Sequence, residues 1–141
     1  LILFMSNRRY ILQKQVDKQV SSLRASEERF RSLFSTMLEG VAFHEMISNG
    51  KGGLVNYRVI EVNEAFEKLF GVKRNQVIGK KANFIYRRED EVPHLEVYRA
   101  VIETGKPMLF EAYYASVDKF FKVSVAPWGK NGFATIFTDI N

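Results

Sequence analysis

The sequence predicts an α+β fold: a five-stranded antiparallel sheet with short helices on one face, preceded by a long amphipathic helix. Three observations support this. Residues 8–37 contain no proline or glycine and carry apolar residues at helical spacing, which favours one continuous helix. Later stretches alternate apolar and polar residues between glycine-containing turns, as strands do. Two of these stretches precede a group of short helical segments and three follow it, which places the helices across one face of the sheet.

The predicted helix carries an apolar seam whose members lie four, three, seven, four and three positions apart: Val16, Val20, Leu23, Phe30, Phe34 and Met37. This is the spacing of a coiled coil, and Glu27 falls at the skipped core position. We therefore expect residues 1–36 to form a signalling helix that pairs with that of a second copy, and residues 37–141 to form the domain. The alternative is a single helix packed against its own domain.

The first half of the domain is predicted to open with a hairpin. Residues 41–47 and 55–62 read as strands on either side of a turn rich in glycine and asparagine. Asn63 is a favourable residue to cap the helix that follows, and Gly71 is suited to end it.

The second half is predicted to begin with a helix from Pro93 to Gly105 whose inward face is centred on Tyr98 and includes His94. Three strands follow, and Lys130-Asn131-Gly132 provides the turn before the last one. Aromatic residues are frequent in these strands, so a cavity between the helices and the sheet would have aromatic walls.

Charge distribution argues against nucleic acid as a partner. Residues 1–36 hold seven basic and three acidic residues, a net of +4, whereas residues 37–141 hold fourteen basic and thirteen acidic residues, a net of +1. A nucleic-acid-binding domain would carry a basic face on its folded part. A basic arm after an apolar start is typical of the cytoplasmic edge of a membrane.

The apolar start, residues 1–5, is too short to cross a bilayer, which takes about 20 residues. We interpret it either as the end of a transmembrane helix or as an ordinary apolar beginning of the long helix. The chain has no cysteine, which excludes disulfides, thiolate metal sites and cysteine nucleophiles. No motif of a catalytic centre is present either, so the chain is not expected to be an enzyme.

Five segments resemble characteristic parts of bacterial PAS domains, in the same order along the chain: Ser26–Phe34, Glu61–Gly71, Val77–Lys80, Thr104–Pro107 and Thr138–Asn141. The last of them resembles the D-I-T motif with which PAS domains end, except that Asn141 stands where threonine is usual. The resemblance covers residues 26–141.

The resemblance implies a PAS fold that serves as a sensory and dimerisation module. Such domains usually lie upstream of a histidine kinase or a diguanylate cyclase in a membrane-bound protein, and neither activity is expected of this chain itself. The implied location is the cytoplasmic face of the bacterial inner membrane, and the implied partners are a second copy of the chain and a small ligand of unknown identity.

The predicted ligand pocket lies between the helical segment and the sheet, and seven residues are expected to line it: His94, Tyr98, Phe84, Tyr57, Phe110, Tyr114 and Phe121. His94 lies near the position at which haem-binding PAS oxygen sensors carry their iron ligand. The arginine that contacts oxygen in those sensors has no counterpart here, since Tyr114 lies about there. A covalent flavin of the LOV type requires a cysteine and is excluded, while a non-covalent flavin stays open.

Two further residues are expected to relay a signal. Asp139 belongs to the D-I-T-like motif, and in the family this aspartate tends to tie the end of the domain to its beginning. Glu27 interrupts the apolar seam and marks a place where a helix pair can shift. Arg87 and Arg88 form either a solvated loop or a contact for a phosphate or carboxylate. The leading hypothesis is a ligand sensor; the alternatives are a ligand-free dimeric linker and a haem-based gas or redox sensor.

Overall fold

The computed structural model describes the backbone of residues 2–86 and 92–140, and the side chains of residues 7–86 and 92–140. The chain divides into two compact units, Leu1–Ser35 and Thr36–Asn141. The division lies one residue from the predicted boundary.

The first unit is helical. Helix α1 runs from Ile2 to Thr36 and stops before Met37, the last member of the predicted seam. Val16, Val20 and Leu23 are 51%, 40% and 60% exposed. These three side chains of the seam are therefore largely exposed to solvent in the single helix.

The second unit contains the five strands and the short helices. In chain order its elements are β1 (Gly40–Ser48), β2 (Leu54–Val62), α2 (Glu64–Phe70), α3 (Arg74–Val77), α4 (Ala82–Ile85), α5 (Leu95–Thr104), β3 (Met108–Tyr114), β4 (Lys119–Pro127) and β5 (Gly132–Asp139).

The sheet has the order β2-β1-β5-β4-β3, and every pair of neighbours is antiparallel. The predicted five-stranded antiparallel sheet is confirmed. The last strand lies in the centre, between the first strand and β4, so the beginning and the end of the domain are neighbours.

Strand β1 differs from the simple alternation expected of it. Residues 40–44 are all buried, and only Glu45 and Ser48 are exposed within the strand. On the face away from the helices, the ring of Phe43 packs 4.7 Å from that of Trp128, measured between centroids. A strand that is covered on both faces usually has consecutive apolar residues, and residues 40–43 of β1 show this pattern.

Asn63 joins the beginning of the domain to α2. Its Oδ1 accepts hydrogen bonds from the backbone N–H groups of Phe66, at 3.0 Å, and Val41, at 2.8 Å. Its Nδ2 donates to the backbone oxygen of Glu39 at 3.0 Å. The side chain of Asn63, which was predicted to cap α2, therefore also satisfies backbone groups of Glu39 and Val41 at the start of β1.

Helix α5 buries Tyr98 and Val101 against the sheet. It ends at Gly105, whose φ of 69° is a left-handed conformation that glycine adopts without steric cost. Many of the core side chains between the helices and the sheet are aromatic, and the short helices pack against them.

Candidate functional site

A surface cleft lies between the beginning of α5 and the end of β3. It has a volume of about 360 Å³, and the described residues that line it are Tyr86, Pro93, His94, Tyr113, Tyr114, Ala115 and Ser116. Sites for small molecules commonly have volumes of about 300–1,000 Å³, so the cleft can hold a small ligand.

His94 stands at the edge of this cleft rather than on the inward face of α5. The helix begins one residue later, at Leu95, and His94 is its N-cap with a φ of 57°. This left-handed backbone is uncommon for a residue with a Cβ, although histidine is among the residues that tolerate it. The turn brings the imidazole ring to 4.8 Å from the ring of Phe110 and 5.7 Å from that of Tyr114.

Tyr114 lies at the end of β3 and is 5% exposed. Its hydroxyl has no hydrogen-bond partner in the part of the chain that the structure describes. Burial raises the pKa of Tyr114, and this effect is larger than that of the nearby hydroxyl of Tyr98, which acts to lower the pKa. The phenol therefore stays neutral and keeps its proton. The hydroxyl oxygen is itself shielded from solvent, so Tyr114 lines the cleft with other atoms than this one.

The wall of the cleft is fixed to the core by Tyr57. This tyrosine is fully buried, and its hydroxyl donates to the backbone oxygen of Pro93 at 2.9 Å. Because Pro93 immediately precedes His94, this bond holds the segment that carries the imidazole.

The interior that was expected to be a pocket is filled. Tyr57, Tyr98 and Phe121 are 0–1% exposed. The ring of Tyr98 stacks on that of Phe133 with a centroid distance of 4.3 Å, and the ring of Tyr57 lies 5.1 Å from Tyr98. The structure therefore corrects the predicted lining: these three side chains form core, because large rings on facing elements interlock when each can reach the others.

Phe84 and Phe110 occupy different surroundings. Phe84 is 60% exposed and lies beside Gly71, Val72 and Gln76, in a separate hollow. Its position on the exposed side of α4 places it outside the pocket that it was expected to line. Phe110 is half-buried and contacts His94. Of the seven predicted pocket residues, the cleft brings together His94 and Tyr114, with Phe110 behind the imidazole.

The residues present do not fit a haem ligated by His94. A porphyrin would need a broad slot between the helices and the sheet, and Tyr98, Phe121 and Phe133 occupy that space. His94 also lies at the turn before α5 and packs against Phe110 rather than over an open slot.

A second histidine, His44, lies within the core. Its Nε2 is 3.0 Å from Oγ1 of Thr135, whose hydroxyl donates to the backbone oxygen of Ala42 at 3.4 Å. These contacts assign the proton to Nε2, and Nδ1 has no partner among the described residues. The ring of His44 stacks 4.7 Å from that of Phe133. Burial lowers the pKa of His44 to about 3, so the imidazole is neutral.

The two predicted relay residues lie in different units of the chain. Asp139 pairs with Lys119 of β4 at 3.3 Å. Beside it, Thr138 donates to the carboxylate of Glu39 at 2.8 Å, and this contact joins the end of the domain to its beginning. Glu27 is exposed on α1. Arg87 and Arg88 lie outside the described residues.

Five residues of the cleft were not among the predicted pocket residues: Tyr86, Pro93, Tyr113, Ala115 and Ser116. The sequence predicted Pro93 only as the start of a helix. Ala115 and Ser116 follow the end of β3, and only the tertiary structure places them opposite Pro93.

A family profile described as "PAS domain" matches residues 40–141. The chain belongs to the PAS domain family. The match begins at the first residue of β1 and covers all the strands and short helices described above. No curated protein matches the sequence.

Solved structures share the PAS fold. The PAS domain of an HTR-like protein from Haloarcula marismortui is 17% identical, with a TM-score of 0.62 over 88% of this chain and 99% of that one. A domain of a sensory box sensor histidine kinase/response regulator from Geobacter sulfurreducens is 17% identical, with a TM-score of 0.61 over 83% of this chain and 96% of that one.

A LOV protein from Rhodobacter sphaeroides is also similar, with 18% identity and a TM-score of 0.54 over 81% of this chain and 66% of that one. At these identities the similarity establishes the fold. Within the described residues, no helix is both long enough and apolar enough to cross a membrane.

Proposed function

We propose that this PAS domain is the sensory input module of a signal-transduction protein, and that it binds a small ligand in the cleft beside His94. The observation that carries the proposal is the cleft itself, which has a volume of about 360 Å³ and is bounded by Tyr86, Tyr113 and Tyr114 together with Pro93 and His94. Aromatic walls with a few polar groups are typical of sites for small organic ligands.

The relay is proposed to run through the ends of the domain. Binding beside His94 acts on Pro93, which Tyr57 connects to the core. The contact between Thr138 and Glu39 then joins the last strand to the residue before β1. Helix α1, which precedes the domain, would transmit the change to a second copy of the chain through its exposed apolar seam.

The parent protein is proposed to be anchored at the cytoplasmic face of a bacterial inner membrane and to carry a histidine kinase or diguanylate cyclase domain. Three observations support this: the basic N-terminal arm, its apolar start and the similarity to a domain of a sensor histidine kinase/response regulator. Anionic lipids at that face attract a basic arm.

A second candidate function is a dimeric linker that binds no ligand. The aromatic interior favours it, since Tyr98 and Phe121 are packed as core side chains between the described helices and the sheet. The outer face of the sheet also carries exposed apolar residues on neighbouring strands, with Leu109 59% and Phe120 53% exposed. Such a face is typical of a protein–protein contact.

Blocking the cleft distinguishes the two functions. Ala115 is exposed and lines the cleft, so Ala115→Trp should occupy it without disturbing the core. Lys51, exposed in the turn between β1 and β2, provides the control Lys51→Trp, which adds the same ring away from the cleft and from the outer face of the sheet. Native mass spectrometry of the chain purified from its own host should show a non-covalent adduct that Ala115→Trp loses and Lys51→Trp keeps.

The same two variants are then placed in the full-length protein. We expect Ala115→Trp to abolish the response of the output domain to its stimulus and Lys51→Trp to preserve it. A normal response from a folded Ala115→Trp protein would contradict the sensor and leave the linker as the function.

A further inference from the structure

We propose that Asn49 is a site of spontaneous covalent modification, at which the folded chain converts an asparagine into a mixture of aspartate and isoaspartate. The chain contains the dipeptide Asn-Gly twice, as Asn49-Gly50 and Asn131-Gly132. The first lies in the turn after β1 and the second in the turn after β4. The surroundings of the two asparagines differ, and this difference assigns the reaction to Asn49.

The reaction requires only water. The backbone nitrogen of Gly50 attacks the side-chain carbonyl carbon of Asn49 and gives up its proton to solvent. Solvent returns a proton to the side-chain nitrogen, which leaves as ammonia, and a five-membered succinimide ring results. Water then opens this ring at either of its two carbonyls and gives aspartate or isoaspartate. A following glycine favours the attack because it has no Cβ to shield its nitrogen.

Two backbone N–H groups already point at the oxygen on which negative charge develops. The side-chain oxygen Oδ1 of Asn49 accepts hydrogen bonds from the backbone nitrogens of Lys51, at 2.8 Å, and Gly53, at 3.1 Å. Attack on the carbonyl carbon turns Oδ1 into an oxyanion, and N–H donors at such distances stabilise an oxyanion. The turn therefore favours formation of the tetrahedral intermediate.

The attacking nitrogen of Gly50 is accessible. Asn49 and Gly50 are exposed, and the N–H group of Gly50 donates to the exposed hydroxyl of Ser48 at 3.2 Å. A hydroxyl can rotate away from such a donor. Gly50 and Gly52 have φ angles of 81° and 83°, and nothing lies within 4 Å of the positions that a Cβ would occupy. The backbone of the turn therefore has room to bring the nitrogen to the carbonyl carbon.

The same dipeptide at Asn131 is held in place. The backbone oxygen of Asn131 accepts a hydrogen bond from the backbone N–H of Met46 at 2.8 Å. This bond fixes the peptide plane that contains the nitrogen of Gly132. Gly132 is buried, and a Cβ at this position would collide with the backbone oxygen of Trp128. Solvent base reaches this nitrogen less easily, and the plane cannot turn toward the side chain without losing its hydrogen bond.

The two products affect the hairpin of β1 and β2 differently. Aspartate keeps the length of the side chain, so its carboxylate can accept the same two N–H groups. Isoaspartate places an additional methylene in the main chain, next to the pair of the ladder nearest the turn, Ser48 and Leu54. The modification therefore adds a negative charge in both products and changes the backbone of the turn in one of them.

Peptide mapping by chromatography and mass spectrometry, after incubation of the chain at mildly alkaline pH, tests the proposal. In the folded chain we expect Asn49 to convert at least about tenfold faster than Asn131. In guanidinium chloride, which unfolds the chain, the two rates should agree within about twofold, because each asparagine then precedes a glycine in a flexible backbone. Equal rates in the folded chain, or faster conversion of Asn131, would overturn the proposal.

A variant tests the role of the two donors. Lys51→Pro removes the N–H group nearest to Oδ1 and leaves the Asn49-Gly50 dipeptide unchanged. We expect the ratio of the Asn49 rate to the Asn131 rate to fall about tenfold in the folded variant. In guanidinium chloride the ratio should equal that of the wild-type chain. A ratio that Lys51→Pro leaves unchanged in the folded state would show that the N–H group of Lys51 does not assist the reaction.

Discussion

The hydroxyl of Thr138, on the last strand, donates a hydrogen bond to the carboxylate of Glu39, one residue before the first strand, at 2.8 Å. Glu39 is held from a second side, because its backbone oxygen accepts from Asn63 Nδ2. The junction by which the chain enters the domain is therefore connected both to the segment by which it leaves and to the cap of α2.

Thr138→Val removes this hydrogen bond while keeping the shape of the side chain. Because the contact is exposed, we expect the free energy of unfolding to fall by less than about 1 kcal/mol. We expect signalling by the full-length protein to lose its response to stimulus. Urea unfolding of the chain and output assays of the full-length protein measure the two effects, and a normal response would contradict a relay through this contact.

Asp139→Ala tests the aspartate of the D-I-T-like motif separately. Its pair with Lys119 is more than a third exposed on both sides, so its loss should cost less than about 1 kcal/mol of stability. We expect uncoupled signalling in the full-length protein with the fold preserved. If Asp139→Ala responds normally and Thr138→Val does not, the relay runs through Thr138 and Glu39 alone.

His44 makes the stability of the domain depend on pH. Unfolded, this histidine binds a proton below about pH 6.5, whereas in the fold its pKa is about 3. Between these values the unfolded state binds more protons, so the free energy of unfolding decreases as the pH falls, by about 1.4 kcal/mol per pH unit.

His44→Phe removes this titration and keeps an aromatic ring beside Phe133. Urea unfolding at pH 6.5 and 4.5 should show that the wild-type chain loses about 2 kcal/mol more than the variant. Equal losses of unfolding free energy in the two proteins would mean that carboxylates, and not His44, make the domain sensitive to acid. The comparison uses differences between the two pH values, so a lower overall stability of the variant does not affect it.

Two buried tyrosines, Tyr57 and Tyr114, should differ in how the loss of the hydroxyl changes stability. Tyr57→Phe leaves the backbone oxygen of Pro93 without its donor, and we expect the free energy of unfolding to fall by about 1–3 kcal/mol. Tyr114→Phe removes a hydroxyl that has no partner among the described residues and should be neutral or stabilising. Chemical denaturation of both variants checks this, and a destabilised Tyr114→Phe would show that its hydroxyl is already bound.

Helix α1 provides a matched pair of substitutions for the proposed dimer. Glu27→Leu completes the apolar seam, while Glu28→Leu adds the same apolar surface one position away from it. Burying a leucine contributes about 1.5–3 kcal/mol, so Glu27→Leu should lower the dimer dissociation constant at least tenfold. Sedimentation equilibrium measures it. A chain that stays monomeric at high concentration, in both variants, would rule out pairing through this seam.

Local patterns predicted the framework of the domain because the residues that form it act locally. Asn63 caps α2 and Gly71 ends it, with a left-handed φ of 64°, as each residue's own chemistry favours. The alternation in β4 places Phe121, Val123 and Val125 on the buried face. The number and type of the strands follow from such signals without knowledge of the partners of each side chain.

The site was harder to predict because its residues act at a distance. Periodicity placed His94 within a helix, whereas its left-handed turn moves the imidazole to the rim of the cleft. Aromatic content alone does not distinguish a pocket wall from a filled core. In the structure, the rings of Tyr57, Tyr98 and Phe133 pack against one another and form core. Phe84 carries no signal that it would lie on the outside of a one-turn helix.

The central position of β5 also bears on how the domain is made. Within the sheet as the structure describes it, β5 lies between the hairpin of β1 and β2 and the hairpin of β3 and β4 and pairs with one strand of each. During synthesis, the complete five-stranded sheet therefore cannot form until residues 132–139 have left the ribosome. A mechanical pull on the chain beyond Asp139 acts on a strand bonded along both edges, which must shear from two neighbours together rather than peel from one.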